Sequence, residues 1–111
     1  MNDQNIVNET LRNIFSEAGL IDVICSLYER QLTSAEISEF LNLDNATIER
    51  NLEQLTNMNL IKKIFYNGKE SYAVTNPKLC DSILMLKDAI YRINTSANIA
   101  DRTLISRKEN N

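Results

Sequence analysis

The side chains that could do chemistry in this 111-residue chain are few, and their types point away from catalysis. Histidine is absent, and the two cysteines, Cys25 and Cys80, lie far apart with no CxxC pair, which leaves no zinc finger and no histidine-based metal site to assemble. Both sit among aliphatic residues, in VICSL and KLCDSIL, where a thiol behaves as a small buried hydrophobe. They are expected to be reduced and structural. The remaining constellation is polar and basic: Asn45, Thr47, Glu49, Arg50 and Asn51 in one short run, then Lys62, Lys63 and Lys69. An arginine fork matches guanine O6 and N7, an asparagine amide matches adenine N6 and N7, and a carboxylate can accept from cytosine N4. Lysines supply phosphate contacts. Glu49 and Glu53 in the same run oppose phosphate by charge.

The elements that must position these groups follow from composition and periodicity. With 43% hydrophobic residues, two Gly and one Pro, the chain has too few breakers for an all-β sandwich and too much apolar content for disorder. A mainly α fold around one core is expected. No apolar run approaches the roughly 20 residues of a membrane span, and MNDQNIVNET lacks the basic-then-apolar order of a signal peptide, so a cytoplasmic protein is expected. The formal net charge of −3 is unevenly spread. Residues 1–61 set three arginines against ten acids, whereas residues 62–111 set nine bases against five acids, so a polyanion would be met mainly by the second half.

Ile6, Val7, Leu11, Ile14, Phe15 and Ala18 recur with the period of an amphipathic helix that Gly19 is expected to interrupt. Leu20, Ile21, Val23, Ile24, Leu27 and Tyr28 then describe a mostly buried helix ending around Arg30. Thr33 followed by Glu36 is a capping box and starts a short helix over Ala35, Ile37, Phe40 and Leu41. After Asn42-Leu43, Asp44 is the N-cap of a helix over residues 45–58 with the stripe Ile48, Leu52, Leu55 and Met58. Two short helices joined this tightly form a helix-turn-helix. LIKKIFY and KESYAVT around Asn67-Gly68 predict a β-hairpin, the wing. Its lysines would equally protect an edge strand, but their place beside the second helix of the motif favours phosphate.

Asn76-Pro77 fixes the start of a last helix. Its apolar residues Leu79, Ile83, Leu86, Ile90, Ile93, Ala97, Ala100 and Leu104 follow an unbroken heptad spacing. Either the first half of that seam packs on the domain's own core, or the seam meets a second chain, and its length favours a homodimer held by residues 78–104. The domain reading is a winged helix-turn-helix over 1–76, a C-terminal dimerisation helix over 77–105 built on Leu79, Ile83, Leu86, Ile90, Ile93 and Ala97, and a disordered tail over 106–111.

The stretch from Leu32 to Pro77, about two-fifths of the chain, resembles the winged helix-turn-helix of ArsR-type transcription regulators. The similarity lies in Leu32-Thr33, Glu36-Ile37, Leu41 and Leu43 at the turn, Thr47-Ile48 with Arg50 and Leu52 in the second helix, Asn59-Leu60-Ile61 at its exit, and the wing from Lys62 to Val74. The resemblance implies a homodimeric regulator whose second motif helix enters the major groove of double-stranded DNA while the wing meets the backbone or minor groove. Metal sensors of that family carry a cysteine pair where this chain has Ser34, Ala35, Glu36 and Ser38, so neither a metal nor a cofactor is expected. The segment GLIDVICSLYERQLTSAEISEFLNLD also looks like the N-terminal dimerisation module of small-molecule O-methyltransferases. With two Gly and no Gly-rich cofactor loop, an enzyme is not expected. The alternative to DNA binding is a winged-helix adaptor for protein contacts, which the acidic first half would suit.

Overall fold

A computed structural model describes residues 3–107, with side chains to residue 95. The order is α1 (Asp3–Ser16), α2 (Ala18–Ser26), α3 (Ser34–Leu41), α4 (Asn45–Asn57), β1 (Ile61–Tyr66), β2 (Lys69–Val74) and α5 (Pro77–Arg107). The chain divides into two bodies, one reaching to Asp81 and one running from Ser82. The first holds α1–α4, the hairpin and the start of α5. This is the mainly α, winged helix-turn-helix architecture expected, with a long C-terminal helix. No helix among the described residues is long and apolar enough to cross a membrane.

In the first body the core is aliphatic: Leu20, Val23, Ile24 and Leu27 from α2 and its cap, Ile37 from α3, Ile48, Leu52 and Leu55 from α4, and Ile61 from β1. Burying each such side chain is worth about 1.5–3 kcal/mol, so these residues decide which face of every element points inward. The caps then fix where the helices begin. The Glu36 amide donates to Thr33 Oγ1 at 3.1 Å while the Thr33 amide donates to Glu36 Oε1 at 2.8 Å, the reciprocal box expected for α3. Asn42 ends α3 in the left-handed region at φ 57°, and the Ser38 hydroxyl donates to the Leu43 carbonyl across the turn. At the far end of α4, Asn59 is again left-handed (φ 62°). The Leu60 amide reaches the Leu55 carbonyl at 3.0 Å and the Asn59 amide the Thr56 carbonyl at 2.9 Å, a Schellman closure that aims the chain into β1.

The hairpin turns on Asn67 and Gly68, both with positive φ (53° and 74°), as a two-residue turn matched to strand twist requires. Register runs from Ile61 opposite Val74 to Tyr66 opposite Lys69. A third segment joins it that periodicity did not reveal: the Leu32 and Tyr72 amides exchange hydrogen bonds with each other's carbonyls at 3.1 and 2.7 Å, docking the α2–α3 connection on β2.

Boundaries differ from expectation at both ends of α2 and at the end of α5. The break between α1 and α2 falls at Glu17, which is extended (φ −136°, ψ 116°), and Gly19 lies inside α2. Gly19 is there for close approach: a Cβ on it would stand 2.9 Å from Asn51 Nδ2. The second helix stops at Ser26, capped by Leu27 (φ −96°, ψ 18°), and Glu29 is left-handed (φ 56°); Arg30 lies beyond the helix, donating from Nε to the Ser26 carbonyl at 2.8 Å and standing over the Phe40 ring at 4.6 Å. α5 extends to Arg107, and residues 108–111 of the expected tail lie outside the described residues.

Gly19→Ala tests the close approach. At an open helix position this change would stabilise by up to about 1 kcal/mol. Here the added methyl meets a buried amide, so Tm is expected to fall, measured by thermal unfolding followed by circular dichroism. A raised Tm would show that Asn51 yields freely.

Candidate nucleic-acid interface

The period of α4 sorts its residues into two faces. Ile48, Asn51, Leu52 and Leu55 lie on the buried side. Asn45, Ala46, Glu49, Arg50 and Glu53 are exposed on the other. Asn51 is thus a correction to the sequence reading, which placed it among the base-facing residues: at 3% exposure it cannot reach a base edge. Its position three residues after Ile48 puts it on the core stripe, and the missing side chain of Gly19 makes room for its amide. Thr47 is half-buried, and its hydroxyl donates to Asp44 Oδ1 at 2.7 Å while its amide donates to Oδ2 at 3.2 Å. Its polar groups are therefore spent on the cap, leaving Asn45, Glu49 and Arg50 as the outward-facing members of the proposed set.

The wing stands beside that face. A groove of about 480 Å³ is lined from α4 by Glu49, Arg50, Glu53, Thr56 and Asn57 and from the hairpin by Lys63 and Tyr72. All three wing lysines are exposed but not equivalent. Lys63 shares the α4-facing side of the hairpin with Phe65, Glu70 and Tyr72, and its Nζ lies 3.0 Å from Glu70 Oε2. The Tyr72 hydroxyl donates to the same oxygen at 3.4 Å. The Lys63 ammonium is held above its ordinary pKa, first by the hydrogen bond to Glu70 and then by the charges of Glu70, Tyr72 and Glu49. Lys62 lies on the opposite side, across from Ala73, and Lys69 flanks the turn across from Tyr66. Sequence reasoning passed over Glu70, although a fixed Asn-Gly turn already sets the register that places it diagonal to Lys63. It also passed over the wing-tip aromatics Phe65 and Tyr66, which are 73% and 69% exposed.

Elsewhere the expected residues divide. Leu79 is half-buried and Ile83 is 6% exposed. Leu86, Ile90 and Ile93 are exposed, together with Met85 and Tyr91. The Ala97 side chain lies outside the described residues. Cys80 is buried, its thiol donating to the Ile24 carbonyl at 3.2 Å, and burial raises its pKa. Among the described residues no group of three or more His, Cys, Asp or Glu is placed to hold a metal ion.

HlyU from Vibrio cholerae superposes with a TM-score of 0.67 at 17% identity, covering 80% of this chain and 97% of its own. The transcriptional repressor BigR from Xylella fastidiosa gives 0.69 at 17% identity, covering 78% and 87%. The chain has the fold of the ArsR-type winged-helix regulators. The transcriptional repressor PagR of Bacillus anthracis agrees, with a TM-score of 0.65 at 20% identity over 75% of this chain and 94% of that one. No protein-family model and no curated protein sequence matches the chain. At these identities the likeness is one of fold, and the function must be argued from the site.

The caps of the motif make its stability acid-sensitive in a definite direction. Hydrogen bonds from the Thr47 hydroxyl and amide hold the Asp44 carboxyl below its ordinary pKa, and those from Thr33 do the same for Glu36. A depressed folded-state pKa contributes stability above the unfolded value and loses it as pH falls through the folded one. Tm should therefore drop as pH falls below roughly 4. Asp44→Asn keeps a capping acceptor that does not titrate, so its Tm should fall less steeply over that window; equal slopes would contradict the assignment.

Proposed function

We propose that this chain is a transcription regulator that binds double-stranded DNA as a homodimer, with the exposed face of α4 in the major groove and the wing along the backbone. The observation that carries this reading is the shared groove, which sets Arg50 of α4 beside a lysine-bearing hairpin. Arg50 supplies the fork for a guanine edge and Asn45 an amide for adenine. Lys62 and Lys69, on the other side and at the tip of the ribbon, supply phosphate contacts. The fold neighbours named as transcriptional repressors are consistent with it. No catalytic chemistry is required, and the cytoplasm is the expected compartment.

The homodimer rests on apolar surface that a single chain leaves open: Ile6, Val7, Leu11 and Phe15 on α1, and Leu86, Ile90 and Ile93 on α5. Monomeric proteins seldom expose such contiguous stripes without a partner. Ile90 is 49% exposed, so Ile90→Glu should leave the fold intact and convert a dimer to a monomer in sedimentation. A wild type that is already monomeric at micromolar concentration overturns the dimer.

The adaptor alternative draws on Glu49 and Glu53, which share the outward face with Arg50. Titration against a duplex selected from a random pool and against a scrambled duplex, each at several salt concentrations, separates the readings. Arg50→Ala should cost roughly 1–3 kcal/mol on the preferred duplex and relax preference at one base pair, whereas Lys62→Ala or Lys69→Ala should weaken both duplexes alike and lower the salt slope by about one. A wild type that binds neither duplex at low salt removes the regulator reading and leaves the adaptor.

A further inference from the structure

We propose that Glu70 is a resident competitor for DNA phosphate: its carboxylate holds Lys63 where a phosphate oxygen would otherwise bind, and so limits the wing's backbone contacts to Lys62 and Lys69. The inference rests on the DNA-binding reading above and concerns how strongly that same surface attracts a duplex backbone.

The hairpin register creates the arrangement. Lys63 lies opposite Tyr72 and Phe65 opposite Glu70, so Lys63 and Glu70 are diagonal neighbours on one side of the ribbon, within reach of each other's long side chains. The ammonium meets Glu70 Oε2 at 3.0 Å. An exposed ion pair of this kind is worth little by itself, because both partners swing and water screens them. This carboxylate, however, is held from a second direction. The Tyr72 hydroxyl donates to the same oxygen at 3.4 Å, and the Tyr72 ring is fixed in the core at 5% exposure. With two donors on one oxygen, Glu70 resists displacement by an anion more than a lone exposed partner of Lys63 would.

The consequence is electrostatic. A phosphate that captured Lys63 would leave Glu70 facing it at close range, so the attraction gained on one side chain is offset by repulsion from the other. Glu49 of α4 acts on Lys63 in the same sense as Glu70, and Glu53 lines the same groove, with Arg50 as the cation there from α4. Among the described residues, Lys62 and Lys69 form no ion pair. Lys69 does feel the Glu36 carboxylate electrostatically. Of the wing cations, Lys63 is the one whose charge is already answered inside the protein.

The test counts phosphate contacts through the salt slope on a random-sequence duplex, where each contact contributes about 0.9 to the slope of log K against log salt. Glu70→Gln, which is isosteric and still accepts from Tyr72, should steepen the slope by about one and raise affinity roughly tenfold at low salt. Lys63→Met in the wild-type background should leave the slope unchanged. Added to Glu70→Gln, it should abolish the steepening. Tyr72→Phe, which frees the carboxylate, should give a part of the Glu70→Gln effect. If Lys63→Met alone lowers the slope by about one, Lys63 is already on phosphate and the proposal falls. It falls equally if Glu70→Gln has no effect, or if its effect persists without Lys63, which would mark a general removal of negative charge. A wild type and variants that bind no duplex at any salt concentration would remove the DNA reading and this proposal together, whereas binding by wild type with unchanged variants removes the proposal alone.

Discussion

Burial of one face of α4 is the constraint on which the rest of this molecule depends. Ile48, Leu52 and Leu55 are fully buried, and together they fix the rotation of the helix about its own axis. Once that rotation is set, Asn45, Glu49, Arg50 and Glu53 have no direction but outward. The neighbours serve the same end. Gly19 lets α2 come close enough for Asn51 to fit beneath it, the Asp44 cap fixes where the helix starts, and the left-handed Asn59 turns the chain so that the hairpin returns along the exposed face. Thr75 secures that return, its hydroxyl donating to the Asn59 carbonyl at 2.6 Å and its amide to the Leu60 carbonyl at 3.0 Å. The outward polar face proposed to meet a duplex is thus the by-product of packing an aliphatic stripe.

The electrostatics of that surface are restrained. A duplex backbone rewards clustered positive charge, and affinity built that way is largely indifferent to sequence. Here the exposed face of α4 mixes Arg50 with Glu49 and Glu53, and the hairpin's inner lysine is paired with Glu70. Such a surface holds little back for non-specific attraction. On the proposed reading, a greater share of any binding energy would come from matched contacts to base edges than from the backbone.

Much of this was legible in the sequence where a local rule has a local cause. The Thr33–Glu36 box, the Asp44 cap and the Asn67-Gly68 turn each depend on residues within a few positions of one another, and each occurs as expected. What was not legible depends on partners distant in the chain. Gly19 was expected to break a helix, because its reason for being there, the Asn51 amide, stands 32 positions away in another element. Asn51 itself is polar, which by type alone points outward, although its spacing from Ile48 places it on the core stripe. The pairing of Leu32 with Tyr72 leaves no trace in periodicity at all. Residue type sets what a side chain can do, and packing alone decides whether it is free to do it.

On the proposed reading, the outward face of α4 and the wing together form the surface that meets a duplex. Backbone amide chemical shifts, followed by NMR during titration with double-stranded DNA, map that surface residue by residue. Perturbations should concentrate at residues 45–50, at Lys62 and around the turn from Tyr66 to Lys69, with the α2 core residues Leu20, Val23 and Ile24 unmoved. Perturbations confined to α1 and α5, with none on α4 or the hairpin, would contradict it.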